Sequence, residues 1–320
     1  MGLVTTNVEA AADALAAGRL CAIPTETVYG LAADAGNPAA VSEVFRAKDR
    51  PSDHPLIVHV AEVSDVADWI ADLPPWAHQL LAEFAPGPLT VVGRRTSQVS
   101  DIITGGQDTV AVRIPSHPLA HALLIAARQR GVTGLVAPSA NRFGQVSPTT
   151  ADHVVADLGP YLASHDGLVL DGGTCDVGIE STIVLTTGES PVILRPGSIT
   201  AKMVTEVTGL AIDVATGAPR VPGAMASHYS PAATVVLADS VDQATTGSGL
   251  IAYAELPTPP GVVRLASPID AADFARQLYQ GLRDADTQGL AQVYVVAPTD
   301  GGIADAVRDR LQRAAGTLSP

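Results

Sequence analysis

The 320-residue sequence predicts an α/β protein with a second, smaller α/β domain. Three observations carry that expectation. Short apolar runs alternate with stretches of helical spacing along most of the chain. In the first 200 residues those runs repeatedly end in polar side chains flanked by proline or glycine. Between Ala215 and Pro231 the periodicity is lost among Gly, Pro, Ser and Met, which is linker composition. The expected division is a first domain over 1–212, a linker over 213–231 and a second domain over 232–320.

Each element has its own signal. Val8 to Gly18 is Ala-rich, with Val8 and Leu15 on one side and a glycine to end it, so it predicts a helix. Leu20 to Ile23 is a strand stopped by Pro24. The Pro-Thr-Glu-Thr that follows puts hydroxyls and a carboxylate where a strand would continue, and Gly30 permits a close turn. Pro38 to Ala47 reads as a helix, and Leu56 to Val60 as a strand. Between them Pro51 and Pro55 stiffen a loop that follows Lys48 and Arg50. Val63 to Ile70 and Trp76 to Phe84 have helical spacing, and Pro86-Gly87-Pro88-Leu89-Thr90 is a rigid turn into Val91-Val92. Thr109 to Ile114 alternates with period two; His117 to Arg130 is helical. Gly134 to Ala137, Leu168 to Leu170 and Val192 to Leu194 are short buried strands, and a helix starts at Thr200. Beyond the linker, strands at Thr234 to Leu237, Leu250 to Tyr253, Val262 to Leu265 and Gln292 to Val296 alternate with helices such as Asp270 to Arg283. That alternation predicts a largely parallel sheet.

Composition narrows the function classes. The net charge is −14, with the acidity spread over both parts, which opposes a nonspecific nucleic-acid binder. A small basic pocket stays compatible with it. Two cysteines, Cys21 and Cys175, give neither a disulfide framework nor a metal quartet, as expected of free thiols in a reducing cytoplasm. No apolar run is long enough to span a membrane.

The polar strand ends are the candidate site: Thr25 to Thr27, Arg113, Ser139 to Asn141, Ser181-Thr182 and Arg195. Ligands bind at such ends in open α/β sheets. Taken singly, a serine can cap a helix and an arginine can sit in a surface ion pair; His59 can be a satisfied core histidine. The same feature recurring five times favours one pocket. Lys48 and Arg50 on a stiff loop suit phosphate. His117 and His121 lack a third metal ligand, and neither a phosphate-loop nor a dinucleotide fingerprint is present.

The stretches P-T-E-T-V-Y-G-L (from Pro24), K-D-R-P with P-L-I-V-H (Lys48 to His59), P-G-P-L-T (from Pro86), D-T-V-A-V-R-I-P (from Asp108), A-P-S-A-N (from Ala137), G-I-E-S-T-I (from Gly178) and L-R-P-G (from Leu194) follow one another over about 200 residues. Together they resemble the YrdC-like family of threonylcarbamoyl-AMP synthases. The later H-Y-S-P (His228 to Pro231) and the α/β tail resemble that family's longer, two-domain form. The resemblance implies a twisted mixed sheet with flanking helices around a concave cavity, a linker that folds over the active site, and a smaller Rossmann-like domain. It implies synthesis of threonylcarbamoyl-AMP from L-threonine, bicarbonate and ATP, for N6-threonylcarbamoylation of adenosine 37 in tRNA.

The residue roles implied are these. Thr27, His59, Arg113, Ala137 (through its backbone) and Ser181 line the threonine site. Arg50, His54, Thr109, Ser139, Ser147, Arg195 and Tyr229 contact the nucleotide. Lys48 and Asn141 face the phosphates or their magnesium, and Lys48 and Arg50 are the catalytic pair. Alanine at either is expected to nearly abolish pyrophosphate release while leaving the thermal melt little changed. Direct nucleic-acid binding is not expected; the product passes to tRNA threonylcarbamoyl-transfer machinery. Two other classes remain to be separated: a carbamoyltransferase of hydrogenase maturation, whose relatives carry C-x-x-C segments not found here, and a nonenzymatic RNA-binding module.

Overall fold

The structure is a computed structural model and describes residues 2–214, 217–223, 225 and 228–317. Its elements run β1 (Val4–Thr5), α1 (Val8–Ala16), β2 (Cys21–Ile23), β3 (Gly30–Asp34), α2 (Pro38–Lys48), β4 (Ile57–His59), α3 (Pro75–Phe84), β5 (Leu89–Arg94), α4 (Asp101–Thr104), β6 (Thr109–Arg113), α5 (Pro118–Arg128), β7 (Leu135–Val136), α6 (Ala151–Ser164), β8 (Leu168–Leu170), β9 (Thr182–Leu185), β10 (Val192–Arg195) and α7 (Ala201–Thr208). After a stretch without a named element come β11 (Thr234–Leu237), β12 (Gly249–Ile251), β13 (Val263–Ala266), α8 (Ala271–Thr287), β14 (Gln292–Val295) and α9 (Ile303–Ala314).

The first ten strands form one mixed sheet in the order β1-β8-β2-β3-β7-β4-β6-β5-β9-β10. Parallel pairs such as β4 with β6 and β5 with β9 sit beside antiparallel ones such as β5 with β6. The last four strands form a second sheet, β11-β14-β12-β13, in which every pair is parallel. The mixed first sheet and parallel second sheet match the expected fold.

Local chemistry fixes the helix ends. Asn37 accepts from Ala39 and Ala40 N–H groups, Pro38 opens α2, and Asp49 closes it in the left-handed region. Thr150 caps α6 by accepting from His153 N–H, although Pro160 lies inside that helix. Val63–Asp68 winds as a 3₁₀ helix where the spacing suggested a longer α-helix. Gly30 opens β3 and makes no isolated turn; a Cβ there would meet the Ala137 Cβ at 3.0 Å, so glycine lets the two segments approach closely.

Apolar packing ties the two sheets together. Val44, Leu80, Leu158 and Val204 pack helices α2, α3, α6 and α7 into one core cluster, and Leu15, Leu123 and Leu124 pack α1 and α5 into another. The cluster inside the second unit, around Phe274, Leu278, Val293 and Leu311, also takes in Val28, Val146 and Ile179 from the first. It takes in Tyr229 as well. Gly178 shows how tight this junction is: at φ +79° its missing Cβ would lie 2.5 Å from Arg276 Cα on α8.

Candidate active site

The site is assembled where strands of the first sheet end. Beyond β2, Thr25 Oγ1 accepts from the Thr27 and Val28 N–H groups and donates to Val28 O at 2.6 Å, closing the Pro-Thr-Glu-Thr segment into a turn. That turn aims Thr27 at the end of β6. In the parallel register of β4 and β6, His59 pairs with Arg113, so both side chains stand on one face. Arg113 donates from Nη1 to Thr27 Oγ1 at 2.8 Å and from Nε to Gly87 O at 3.3 Å. Its Nη2 lies 2.7 Å from Glu26 Oε1 in an ion pair whose atoms are not aligned as a hydrogen bond, so both keep unused bonding capacity.

Across the sheet, Ser181 Oγ shares a 2.7 Å hydrogen bond with Thr90 Oγ1. Arg195, at the end of β10, donates from Nε and Nη2 to Ser181 O at 3.1 and 2.9 Å, from Nη2 to Ser181 Oγ at 3.1 Å, and from Nη1 to Pro222 O. Arg50 donates to Pro55 O, its Nε has no partner among the described residues, and its guanidinium lies 5.5 Å from the Phe143 ring centre. Burial lowers Arg50 to about 10, which still leaves a cation near neutral pH. Burial and the Arg113 charge push His59 down to about 3, so its ring is a neutral donor and acceptor.

Thr27, Arg50, His59, Arg113, Ala137, Ser139, Ser181, Arg195 and Tyr229 line one cavity of ≈ 50 Å³. Arg50, Arg113 and Arg195 are each less than a tenth exposed. Three nearly buried cations around a small polar space make an anion site, because in water-poor surroundings they gain from any negative partner.

The remaining expected residues lie elsewhere. Lys48 sits behind the lining: it is 1 % exposed, and Nζ donates to Ser139 O at 2.5 Å and to Asn141 O. Burial, then the nearby Arg50 charge, holds its ammonium well below the usual lysine range. Removing it would leave the buried Asn141 carbonyl unpaired, at about 1–3 kcal/mol, and take the same donor from the partly buried Ser139 carbonyl. An unchanged melt for Lys48→Ala therefore does not fit this geometry. Asn141 Nδ2 donates to Arg142 O and Gln145 O, while its Oδ1 is buried without a partner among the described residues. Ser147 donates to Glu180 at 2.6 Å. His54 packs edge-on against Phe143, and burial lowers it as a base. Thr109 lines a different feature, an open groove of ≈ 1290 Å³ shared with Arg94, Arg95 and Asp108.

Sequence reading missed Glu180, Pro222, Gly223 and His228 in the lining. Glu180 is buried and bound by Ser147, Tyr279 and Arg310, with side-chain partners up to 130 residues away. The G-I-E-S-T stretch that pointed to Ser181 already contained it. Tyr229 lines the cavity at φ +62°, 5.7 Å from the Tyr279 ring and 5.3 Å from the Arg310 guanidinium. No group of three or more His, Cys, Asp and Glu side chains among the described residues could hold a metal. Among the described residues no helix is long and apolar enough to cross a membrane.

Comparison with known proteins places this site in context. Residues 13–197 match the family model described as "Telomere recombination", which joins Sua5, YciO and YrdC proteins, and residues 199–316 match "Threonylcarbamoyl-AMP synthase, C-terminal domain". A threonylcarbamoyl-AMP synthase of Bacillus subtilis (strain 168) is 34 % identical, covering 96 % of this chain and 92 % of its own. One from Pyrococcus abyssi is 34 % identical over 97 % and 94 %. A crystal structure of P. abyssi Sua5 complexed with L-threonine superposes with a TM-score of 0.85 at 33 % identity, covering 97 % of this chain and 94 % of that one. With both matched segments present in order and relatives similar over nearly the full length, the chain belongs to the Sua5/YrdC family of threonylcarbamoyl-AMP synthases, in its two-domain form.

Proposed function

We propose that the protein makes L-threonylcarbamoyl-AMP from L-threonine, bicarbonate and ATP with release of pyrophosphate, the first step of N6-threonylcarbamoyladenosine formation in tRNA. The observation that carries the reading is the convergence of Arg50, Arg113 and Arg195 with Thr27, His59 and Ser181 on one cavity at the strand ends. Names of the relatives support threonylcarbamoyl-AMP as product, and the threonine complex of the P. abyssi protein supports the amino acid.

The chemistry joins anions, so the protein's task is positioning and charge neutralisation. Each terminal nitrogen of Arg113 carries one N–H beyond those facing Thr27 and Glu26, enough for the fork that grips a carboxylate. The neutral His59 and the Thr27 and Ser181 hydroxyls then face the amino acid's polar atoms. The threonine nitrogen, in its neutral form, bonds to the bicarbonate carbon with loss of water to give a carbamate. A carbamate oxygen attacks the α-phosphorus, and the bond to the β-phosphate oxygen breaks as pyrophosphate leaves. Arg50 and Arg195 offer cations to the phosphates. Lys48 holds the Ser139 and Asn141 carbonyls, fixing the segment that carries the hydroxyl and amide. Magnesium carried on the ATP phosphates would need few protein ligands, and Asn141 Oδ1, a buried acceptor without a partner among the described residues, is the candidate for one. Bound there, magnesium would neutralise phosphate charge.

Residues 213–231 act as the linker between a catalytic domain (1–212) and a C-terminal domain (232–320), and Tyr229 is its plug. A cavity of ≈ 50 Å³ holds a few waters and not a nucleotide, so the linker withdraws for ATP to enter. On this reading His54, Thr109 and Ser147 contact the nucleotide only once it is bound, since none of the three lines the closed cavity. Incubation with ATP, threonine and bicarbonate tests the function: the adenylate is expected by mass spectrometry only when all three are present. Its formation without threonine, or its absence throughout, overturns the reading.

A further inference from the structure

The second domain reaches the cavity wall through two fully buried side chains, Arg310 and Tyr279. Arg310, on α9, is 0 % exposed. Its Nε donates to Glu180 Oε2 at 2.8 Å, its Nη2 to Pro196 O at 3.0 Å and its Nη1 to Asp309 Oδ2 at 2.5 Å. Tyr279, on α8, donates to the same Glu180 oxygen at 2.9 Å, and Ser147 donates to the other at 2.6 Å. The Arg310 guanidinium also lies 5.3 Å from the Tyr229 ring centre. One arginine thus meets the carboxylate preceding Ser181, the carbonyl following Arg195 and the aromatic plug.

We propose that Arg310, assisted by Tyr279, is a positioning residue for the adenylation, holding Glu180 and the Pro196 carbonyl so that Ser147 and Arg195 keep the geometry that binds ATP. The inference rests on the nucleotide role read for Ser147 above. A domain junction needs no such arrangement, because a buried ion pair contributes little stability over apolar packing. The junction also has a second nearly buried pair, Arg283 with Asp157 at 2.6 Å. Arg283 also donates to the Val146 and Ser147 carbonyls, but only Arg310 pairs with a carboxylate that lines the cavity. Losing the arginine leaves Glu180 with Ser147 and Tyr279 as side-chain donors but without its charged partner, so the carboxylate is no longer fixed and neither is the Ser147 bonded to it.

The test is ATP binding by calorimetry in the full chain, for Arg310→Gln, Arg310→Lys, Ser147→Ala and Arg310→Gln with Ser147→Ala. Arg310→Gln is expected to weaken ATP binding roughly tenfold or more, the scale of a lost hydrogen bond to a charged group. Arg310→Lys keeps the charge but cannot span Glu180 and Pro196 together, so it should recover part of that loss. Ser147→Ala should add less in the Arg310→Gln background than it does alone, because both act on one arrangement. Unchanged ATP affinity in folded Arg310→Gln, or factors that simply multiply, overturns the proposal. If Arg310→Gln fails to fold, Arg310→Lys decides by itself, and wild-type affinity there overturns it. Threonine-dependent pyrophosphate release in the unaltered protein is measured alongside: its absence sinks the proposed function, whereas the binding series reports on Arg310 independently.

Discussion

Lys48 and Arg50 stand two positions apart and do different work. Arg50 faces the cavity with an unused Nε, so Arg50→Ala removes charge without stranding a partner other than the Pro55 carbonyl. Pyrophosphate release should fall roughly 100- to 1000-fold, as when one donor to developing charge is lost, with a small change in melting temperature. Lys48→Ala should lose activity and also stability, because the Ser139 and Asn141 carbonyls lose their donor. Calorimetric melts of the two variants check this; equal melting temperatures would contradict the tether. Sequence made both residues visible, since two cations on a proline-stiffened loop stand out in a chain with only two lysines. Burial of one ammonium against backbone carbonyls some 90 residues away was not visible, because it depends on how two loops meet.

At the scale of elements, the strand-end rule located the site well. The turn after β2, Arg113 at the end of β6, Ser181 just before β9 and Arg195 at the end of β10 all reach one cavity. Thr109, which only the family resemblance assigned to the nucleotide, begins β6 and lies in the open groove away from that strand's carboxyl end. Helix α6 escaped the reading: Pro160 interrupts its pattern, while the Thr150 cap that starts it looks like loop chemistry. The loss of periodicity over 215–231 was legible as a composition, whereas the place of Tyr229 in the cavity wall was not. Tyr229 takes a left-handed backbone, a costly conformation for a bulky residue, and is held by Tyr279 and Arg310. Tyr229→Ala in the full chain should raise the share of ATP lost as free AMP relative to threonylcarbamoyl-AMP, because water reaches the adenylate. An unchanged product-to-AMP ratio would argue against a plug.

Across the whole molecule, the two sheets share a core cluster and buried ion pairs, so the second domain is continuous with the cavity wall. Glu180 shows this electrostatically. Burial alone would raise its carboxyl, yet the Arg310 and Arg195 charges and the Ser147 and Arg310 hydrogen bonds hold it down to about 2. A carboxyl held below its ordinary value near 4.5 stabilises the fold above that pH, and loses the contribution as pH falls toward 2. The melting-temperature gap between wild type and Glu180→Gln should therefore be widest near neutrality and shrink between pH 4.5 and 2. A gap independent of pH would remove Glu180 as an ionised hub. The alternation of strands and helices foretold two α/β units, but periodicity says nothing of which side chains cross between them.

The most direct measurement is steady-state pyrophosphate release, with threonine, bicarbonate and ATP varied in turn, for the unaltered chain, Arg50→Ala and Arg113→Ala. If one cavity holds both substrates, release requires all three reactants. Arg50→Ala then cuts kcat/KM for ATP by roughly 100-fold or more, and Arg113→Ala raises the threonine KM. Release that ignores threonine, or full-rate turnover in both variants, would mean that the cavity is not where the chemistry happens.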